Sequence, residues 1–320
     1  VIAATVLAAL IATANGLASA QLASAHPVSG GTYEYGYLWL SPSFGFSAGW
    51  MFMLAKSASA ATAALGLSGY LLGLLGAGSG WWHVVVAVFG ALAVTLFVAG
   101  GIRRSNLGNA VVVGTSLAGL ALLVAFALPR VMAEGAGRFS PFLPGGDGGM
   151  GALLHGAALM FVAYTGYGRI ATLGEEVRDP RRVIPRAIIA TMVVVTLLYL
   201  AIATAGVGVL GAAGFGEAAE RTAAPLEAVA AALDVPLLPQ LLAIAAVAAM
   251  AGVLLNLVLG LSRVLLAMAR RGDAPRFLST VDERRASPVA AVWTSGLLIA
   301  AIALVGDVRT TWSFSAFTVL

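Results

Sequence analysis

The sequence predicts an all-α membrane protein, a multi-pass helical bundle. Three observations carry that expectation. Hydrophobic residues make up 60% of the 320 and charged residues only 10%, against about 25% charged in ordinary globular chains; so much apolar surface needs the bilayer as its solvent. The apolar residues fall into runs of about 20, the length a helix needs to cross hydrocarbon. No run alternates apolar and polar residues as a membrane barrel strand does.

Taken in order, the runs give eight full spans and the start of a ninth. The first lies near 1–25. It begins at Val1, already inside an apolar run, with neither a charged leader nor a small-residue cleavage site, so it reads as a span and not as a signal peptide. The next, near 42–75, is long for one crossing and is expected to tilt or to extend beyond the bilayer. Spans near 82–101, 107–128, 150–175, 184–211, 237–269 and 288–306 follow, and another begins near 312. The last residues, "FSAFTVL", stop in mid-run, so the chain looks cut at both ends.

The loops orient these spans. Loops 26–41, 102–106, 176–187 and 270–287 hold eleven arginines, and the opposite loops hold only Arg130, Arg138, Arg221 and Arg309. The arginine-rich set is therefore expected in the cytoplasm, and with it a place in the plasma membrane. The net charge of +4 needs no nucleic acid, since no basic patch is interleaved with aromatics. The chain has no Cys, which removes disulfides and thiolate chemistry. Gly206, Gly208 and Gly211 match a dinucleotide fingerprint, but they end a membrane span with no soluble strand before them. His26, His83 and His155 share no ligand spacing, and there is no Walker lysine motif. No metal or cofactor is expected. Gly45 and Gly49 form a GxxxG, read as close packing within the bundle.

Two features break the apolar monotony. The span at 150–175 carries Thr165, Gly166 and Gly168 close together. In hydrocarbon, irregular backbone survives only where protein buries it or a wet cavity faces it. Unwinding there would free carbonyls for an ammonium and leave a half-helix N-terminus for an anion, which suits an amino acid zwitterion. A continuous helix with packing glycines is the alternative. The second feature is Lys56, the only Lys in the chain. It lies 14 residues past Pro42, or about 21 Å along a helix. A cation at mid-bilayer costs at least about 2.5–3.5 kcal/mol, so Lys56 is expected inside the bundle, exchanging a proton during transport or meeting substrate. Snorkelling to an interface is the alternative.

Three stretches carry a resemblance. "FVAYTGYGRIATLGEEVRDPRRVIPRAI" at 161–188 is similar to the sixth helix and following loop of amino acid permeases, the amino acid–polyamine–organocation transporter family. "LASAQLASAHPVSGGTYEYGYLWLSPSFGFSAGW" at 17–50 resembles that family's second helix through the entry to its third. "LGLSRVLLAMARRGDAPRFLSTVDERRASPVAA" at 259–291 resembles its eighth helix and the loop into the ninth. The resemblance implies one permease domain over 1–320, running from the second helix to the start of the tenth, with an inverted five-plus-five repeat. It implies a broken sixth helix over Phe161, Ala163, Tyr164, Thr165 and Gly166, with residues 163–166 non-helical. The Ala163 and Tyr164 carbonyls would then receive the substrate ammonium, and Phe161 or Tyr164 would close over it. Arg169, Glu175 and Glu176 are candidates for a cytoplasmic gate, and for ordinary salt bridges at a helix end. Asn256 is expected to face the transport core or to make a packing hydrogen bond. Asp179 is expected to cap the next helix, with Pro180 in its first turn.

The function expected is secondary transport of amino acids by alternating access, driven by protons or by exchange. No acidic residue stands at the centre of any span, which favours neutral substrates over arginine or polyamines. The alternatives are a permease for amines or other small organic metabolites, and a membrane sensor or structural protein that moves nothing. An intramembrane enzyme would need paired carboxylates, a metal cluster or a nucleophile with its base, and the spans offer none.

Overall fold

The computed structural model describes residues 1–27, 30–77, 80–101, 105–139, 149–171, 177–221, 224–282, 285 and 287–319. Among these the regular elements are helices, and one isolated bridge pairs Asp282 with Ser287. In chain order they are α1 (Ile2–Ala25), α2 (Thr32–Trp39), α3 (Pro42–Leu74), α4 (Trp81–Ala99), α5 (Ser105–Glu134), α6 (Gly149–Tyr164), α7 (Tyr167–Ala171), α8 (Pro180–Arg221), α9 (Pro225–Ala231), α10 (Leu238–Arg271), α11 (Val289–Val305) and α12 (Val308–Val319).

Seven helical segments among the described residues are long and apolar enough to cross a membrane: α1, α3, α4, α5 from Ala110, α6 with α7, α8 and α10. The span expected at 288–306 is α11, whose 17 residues sit at the short end of the crossing range. The expected end of a span at 211 has a physical cause. α8 runs on to Arg221, but Gly211 has φ 75° and ψ 165°, a conformation that favours Gly and interrupts the helix there. The fingerprint glycines before it are packing positions: a Cβ on Gly206 would meet the Phe215 ring, and one on Gly208 would meet Val131.

Local chemistry sets several boundaries. The Ser41 side chain accepts from the Phe44 N–H, and Pro42 fills the first turn of α3. α10 ends at Gly272, with φ 98°, whose N–H and that of Asp273 both return to the Met268 carbonyl. Asp179 stands just before α8 as expected, but with φ 51°; its carbonyl accepts from Arg182 and Val183, and its carboxylate lies 3.9 Å from Arg182.

The described helices pack in several buried clusters; α5, α8, α9 and α10 share one around Leu123, Val209 and Leu242, and two larger groups hold most of the other spans. In the first, α3, α4, α10 and α11 share a core that includes Met53, Leu65, Leu254, Leu261 and Ile299. In the second, α1, α6, α7 and α8 share another, around Phe161, Tyr164, Ile188 and Met192. α3 packs on α10, α4 on α11 and α1 on α8, so spans five places apart along the chain are neighbours. Large apolar side chains remain exposed on the outer surface, among them Phe89, Phe97, Leu96 and Leu197, as bilayer contact requires.

The short helix α2 touches both groups. Tyr33 belongs to the first core and Tyr35 to the second. It also explains the GxxxG of α3. A Cβ on Gly45 would fall 2.0 Å from the Tyr37 ring, and one on Gly49 would fall 2.6 Å from Tyr33. Close packing is what those glycines serve, and the partner is the loop helix α2.

Candidate functional site

The suspect span is broken. α6 ends at Tyr164, Thr165 and Gly166 form a turn, and α7 starts at Tyr167. Bonds from Thr165 N–H to the Val162 carbonyl (3.1 Å), Gly168 to Thr165 (3.3 Å) and Arg169 to Gly166 (3.2 Å) replace the α-helical ladder with tighter three-residue turns. The interruption is narrower than expected: Ala163 and Tyr164 stay helical, and only Thr165 and Gly166 leave the helix. The Thr165 hydroxyl donates to the Val162 carbonyl at 2.7 Å, which satisfies one helix-end acceptor without a further turn.

Lys56 reaches this break from α3. Its ammonium donates to the Thr165 hydroxyl at 2.7 Å and to the Thr165 carbonyl at 3.4 Å. The lysine is therefore inside the bundle, joining the first helix group to the second. Arg169 makes the reverse connection, its guanidinium donating to the Asn256 carbonyl on α10. Two cationic side chains thus tie the broken segment to the opposite group.

A cavity of about 350 Å³ opens beside the break. Phe161, Thr165 and Lys56 stand in its wall, together with Tyr167 and Gly168. Ala163, Tyr164 and Gly166 are not wall residues. The Ala163 carbonyl accepts from the Tyr199 hydroxyl at 2.9 Å. The Tyr164 ring packs edge-on against Tyr199, 5.1 Å between centroids, and its hydroxyl lies 3.5 Å from the Thr5 carbonyl. Tyr164 is therefore a core residue of the second group, and Phe161 is the aromatic that meets the cavity. Gly166 is exposed and has open space where a Cβ would stand. Glu175 and Glu176 lie outside the described residues, so Arg169 is placed without them. Asn256 enters through its main-chain oxygen.

The wall also holds residues that the sequence reading missed. Asn15 and Ser19 of α1, and Thr32 and Tyr35 of α2, face the same space. Asn15 was detectable as a polar residue inside an apolar span. Tyr35 was not, because nothing in "TYEYGYLW" separates it from Tyr33 and Tyr37. Those two neighbours serve another purpose. Their hydroxyls donate to Asp273 beyond the end of α10, at 2.7 Å and 2.5 Å, and Arg271 pairs with Glu34 and lies 4.2 Å from the centre of the Tyr37 ring. Burial, and then the bond to Asp273, raise the pKa of Tyr33 and Tyr37, so both hydroxyls hold their protons more tightly. Burial alone pushes the Tyr35 hydroxyl up to about 12, so it keeps its proton at physiological pH.

Comparison with known proteins bears on this arrangement. The amino acid permease family model matches residues 1–320. An uncharacterized transporter of Mycobacterium tuberculosis is 37% identical over 319 residues, which cover 98% of this chain and 68% of that protein. The branched-chain amino acid permease of Bacillus subtilis is 29% identical over 92% of this chain and 65% of its own length. A vacuolar cationic amino acid transporter of Arabidopsis thaliana is 25% identical over 94% of this chain and 49% of its own length.

Proposed function

The chain belongs to the amino acid permease family, and from that premise we propose that it carries neutral amino acids across the plasma membrane by alternating access around the break at Thr165 and Gly166. That it is a multi-pass membrane transporter, and no enzyme, follows from the family and its apolar helices. The observation that carries the finer reading is the Lys56 ammonium bonded to Thr165 at the edge of the cavity. A helix turn interrupted inside the bilayer exposes main-chain polar groups that a zwitterion can use. Among the described wall residues Lys56 is the one formal charge and no carboxylate accompanies it. A substrate with a cationic side chain would meet like charge and find no counter-ion. The related proteins named for branched-chain and for cationic amino acids mark the range within which this choice falls.

Lys56 also supports a coupling role. An ammonium that bridges the two helix groups, held by one hydroxyl and one carbonyl of Thr165, is released when the groups separate and can then exchange its proton with the water that enters between them. Loops 26–41, 102–106, 176–187 and 270–287 are assigned to the cytoplasm on their arginine content. The test is uptake into proteoliposomes of radiolabelled alanine, leucine, glutamine, glutamate and lysine, with and without imposed proton and sodium gradients. Saturable uptake of the neutral amino acids, accelerated by an inward proton gradient, is expected. Uptake confined to lysine would refute neutral selectivity. Counterflow without any gradient effect would replace proton coupling by exchange.

A further inference from the structure

A second cavity lies on the outside of the bundle, away from Lys56. It is a groove of about 420 Å³ along the seam between α1 and α8. Thr13 and Leu17 line it from α1, and Ile189, Val193 and Leu197 are among its residues from α8. Six of its eight wall residues are Leu, Ile, Val or Met and none is charged, so its occupant is apolar. Leu17, Ile189, Val193 and Leu197 are exposed, on two helices long and apolar enough to cross a membrane. The exposed run on α8 is short. Ile189 to Leu197 spans about 12 Å, and beyond it Ala203, Ala205, Val207 and Val209 are buried. That reach fits one leaflet of a hydrocarbon core about 30 Å thick, and is too short for a neighbouring helix that crosses both. The other end of the face is basic. Arg182 and Arg186 precede Ile189 and Val193 by seven residues each, so they continue the same face of α8 about 10 Å nearer the arginine-rich loop. Both are exposed. Asp179 lies 3.9 Å from Arg182, but both side chains face solvent and the pair is weak. Gln21, also exposed, stands one turn beyond Leu17 and brings an amide from α1 to the same end.

We propose that the groove between α1 and α8 holds an anionic phospholipid, with one acyl chain along Leu17, Ile189, Val193 and Leu197 and its phosphate on Arg182 and Arg186. An apolar groove open to hydrocarbon is filled by an acyl chain, and guanidinium groups at its polar end match a phosphate in charge and in geometry. A zwitterionic headgroup carries a cation beside its phosphate, which the same two arginines repel. The lipid lies on both helices and so clasps α1 to α8, two members of the group that contains the break. A Cβ on Gly16 of α1 would stand 3.4 Å from Ile188 of α8, so the floor of the groove is closed and the chain lies over the seam. The site is separate from the cavity at Lys56 and does not depend on which substrate that cavity takes.

The test is lipid binding. Protein purified in detergent is titrated with phosphatidylglycerol and, separately, with phosphatidylcholine of the same acyl chains. Thermal unfolding is followed, and retained lipid is counted by native mass spectrometry. Phosphatidylglycerol is expected to raise Tm saturably and to stay bound, and phosphatidylcholine to do less. The double variant Arg182→Gln, Arg186→Gln alters two exposed side chains and leaves the core intact. It should weaken phosphatidylglycerol binding about tenfold or more and leave the response to phosphatidylcholine unchanged. Val193→Trp fills the groove without altering charge and should weaken binding of both lipids. Equal responses to the two lipids in the wild type overturn the site, and so does a full phosphatidylglycerol response in the double variant or in Val193→Trp. Glycerol 3-phosphate, which has the head chemistry without the chains, is expected to give no protection. If it protects as well as the lipid, the arginines bind phosphate alone and the groove has no part in it. A co-purified protein subunit displaced by Val193→Trp would also refute the lipid.

Discussion

At the scale of single residues, Lys56 has the most to answer for. Its three ammonium hydrogens meet one hydroxyl and one carbonyl of Thr165, and both belong to a segment that transport is proposed to move. Lys56→Ala is therefore predicted to flatten the pH profile of uptake while leaving part of the substrate binding. A variant that keeps the wild-type profile would remove the proton from the mechanism and leave exchange. Thr165→Val keeps the shape and deletes the acceptor for a charged donor, so uptake should fall about tenfold or more. Asp307 offers a cleaner titration, away from the cavity. It precedes α12, and its carboxylate accepts from the Thr310 N–H at 2.8 Å and the Thr310 hydroxyl at 3.1 Å. The bond from the Thr310 backbone holds its pKa below the ordinary carboxylate value. A depressed folded-state value means stability that is present above the unfolded value near pH 3.9 and is lost as pH falls through the folded one. Asp307→Ala should cost about 1 kcal/mol at neutral pH, and the gap between the two melting temperatures should close in acid.

Among the elements, the break between α6 and α7 and the docking of α2 make opposite demands on glycine. Gly166 has empty space around it, so Gly166→Ala should fold. By raising helix propensity at the turn, by up to about 1 kcal/mol, it should stiffen the segment and slow turnover more than it weakens binding. A larger effect on KM than on kcat would contradict this. Gly45 has no room: its Cβ would fall within the Tyr37 ring. Gly45→Val should lower stability by about 1–3 kcal/mol through overpacking, readable as a loss of melting temperature in detergent. These two sites also show what sequence can and cannot disclose. Span positions were legible because hydrocarbon imposes length and polarity directly. The weak turn was legible as Thr-Gly-x-Gly, though not that Ala163 and Tyr164 would remain helical, since that depends on Tyr199 meeting the Ala163 carbonyl. Lys56 was legible as an intramembrane charge. Its partner Thr165 lies 109 residues away, and no periodicity links them. Tyr35 was hidden among three similar tyrosines, because only the docked helix separates one face of α2 from the other.

For the whole molecule, the division into two helix groups is the feature on which alternating access would act. Pairs of spin labels placed within the first group, on α4 and α11, should keep their separation when substrate is added. Pairs placed across the groups, on α4 and α8, should change. Movement within the first group and none across would refute the proposed division of labour. The docking of α2 has a consequence for biogenesis as well. Tyr33 finds its acceptor Asp273 only 240 residues further along the chain. At about 5–20 residues per second of synthesis, the aromatic face of α2 waits roughly 12–48 s before α10 and its following turn exist to receive it. During that interval a segment holding Tyr33, Tyr35, Tyr37 and Trp39 stands uncovered, open to proteases and to chaperones. Nascent chains arrested before residue 271 should thus be cleaved in this loop, and chains long enough to release Asp273 should resist. The quality of each molecule would then be decided late, by whether the end of α10 arrives before that loop is captured by something else.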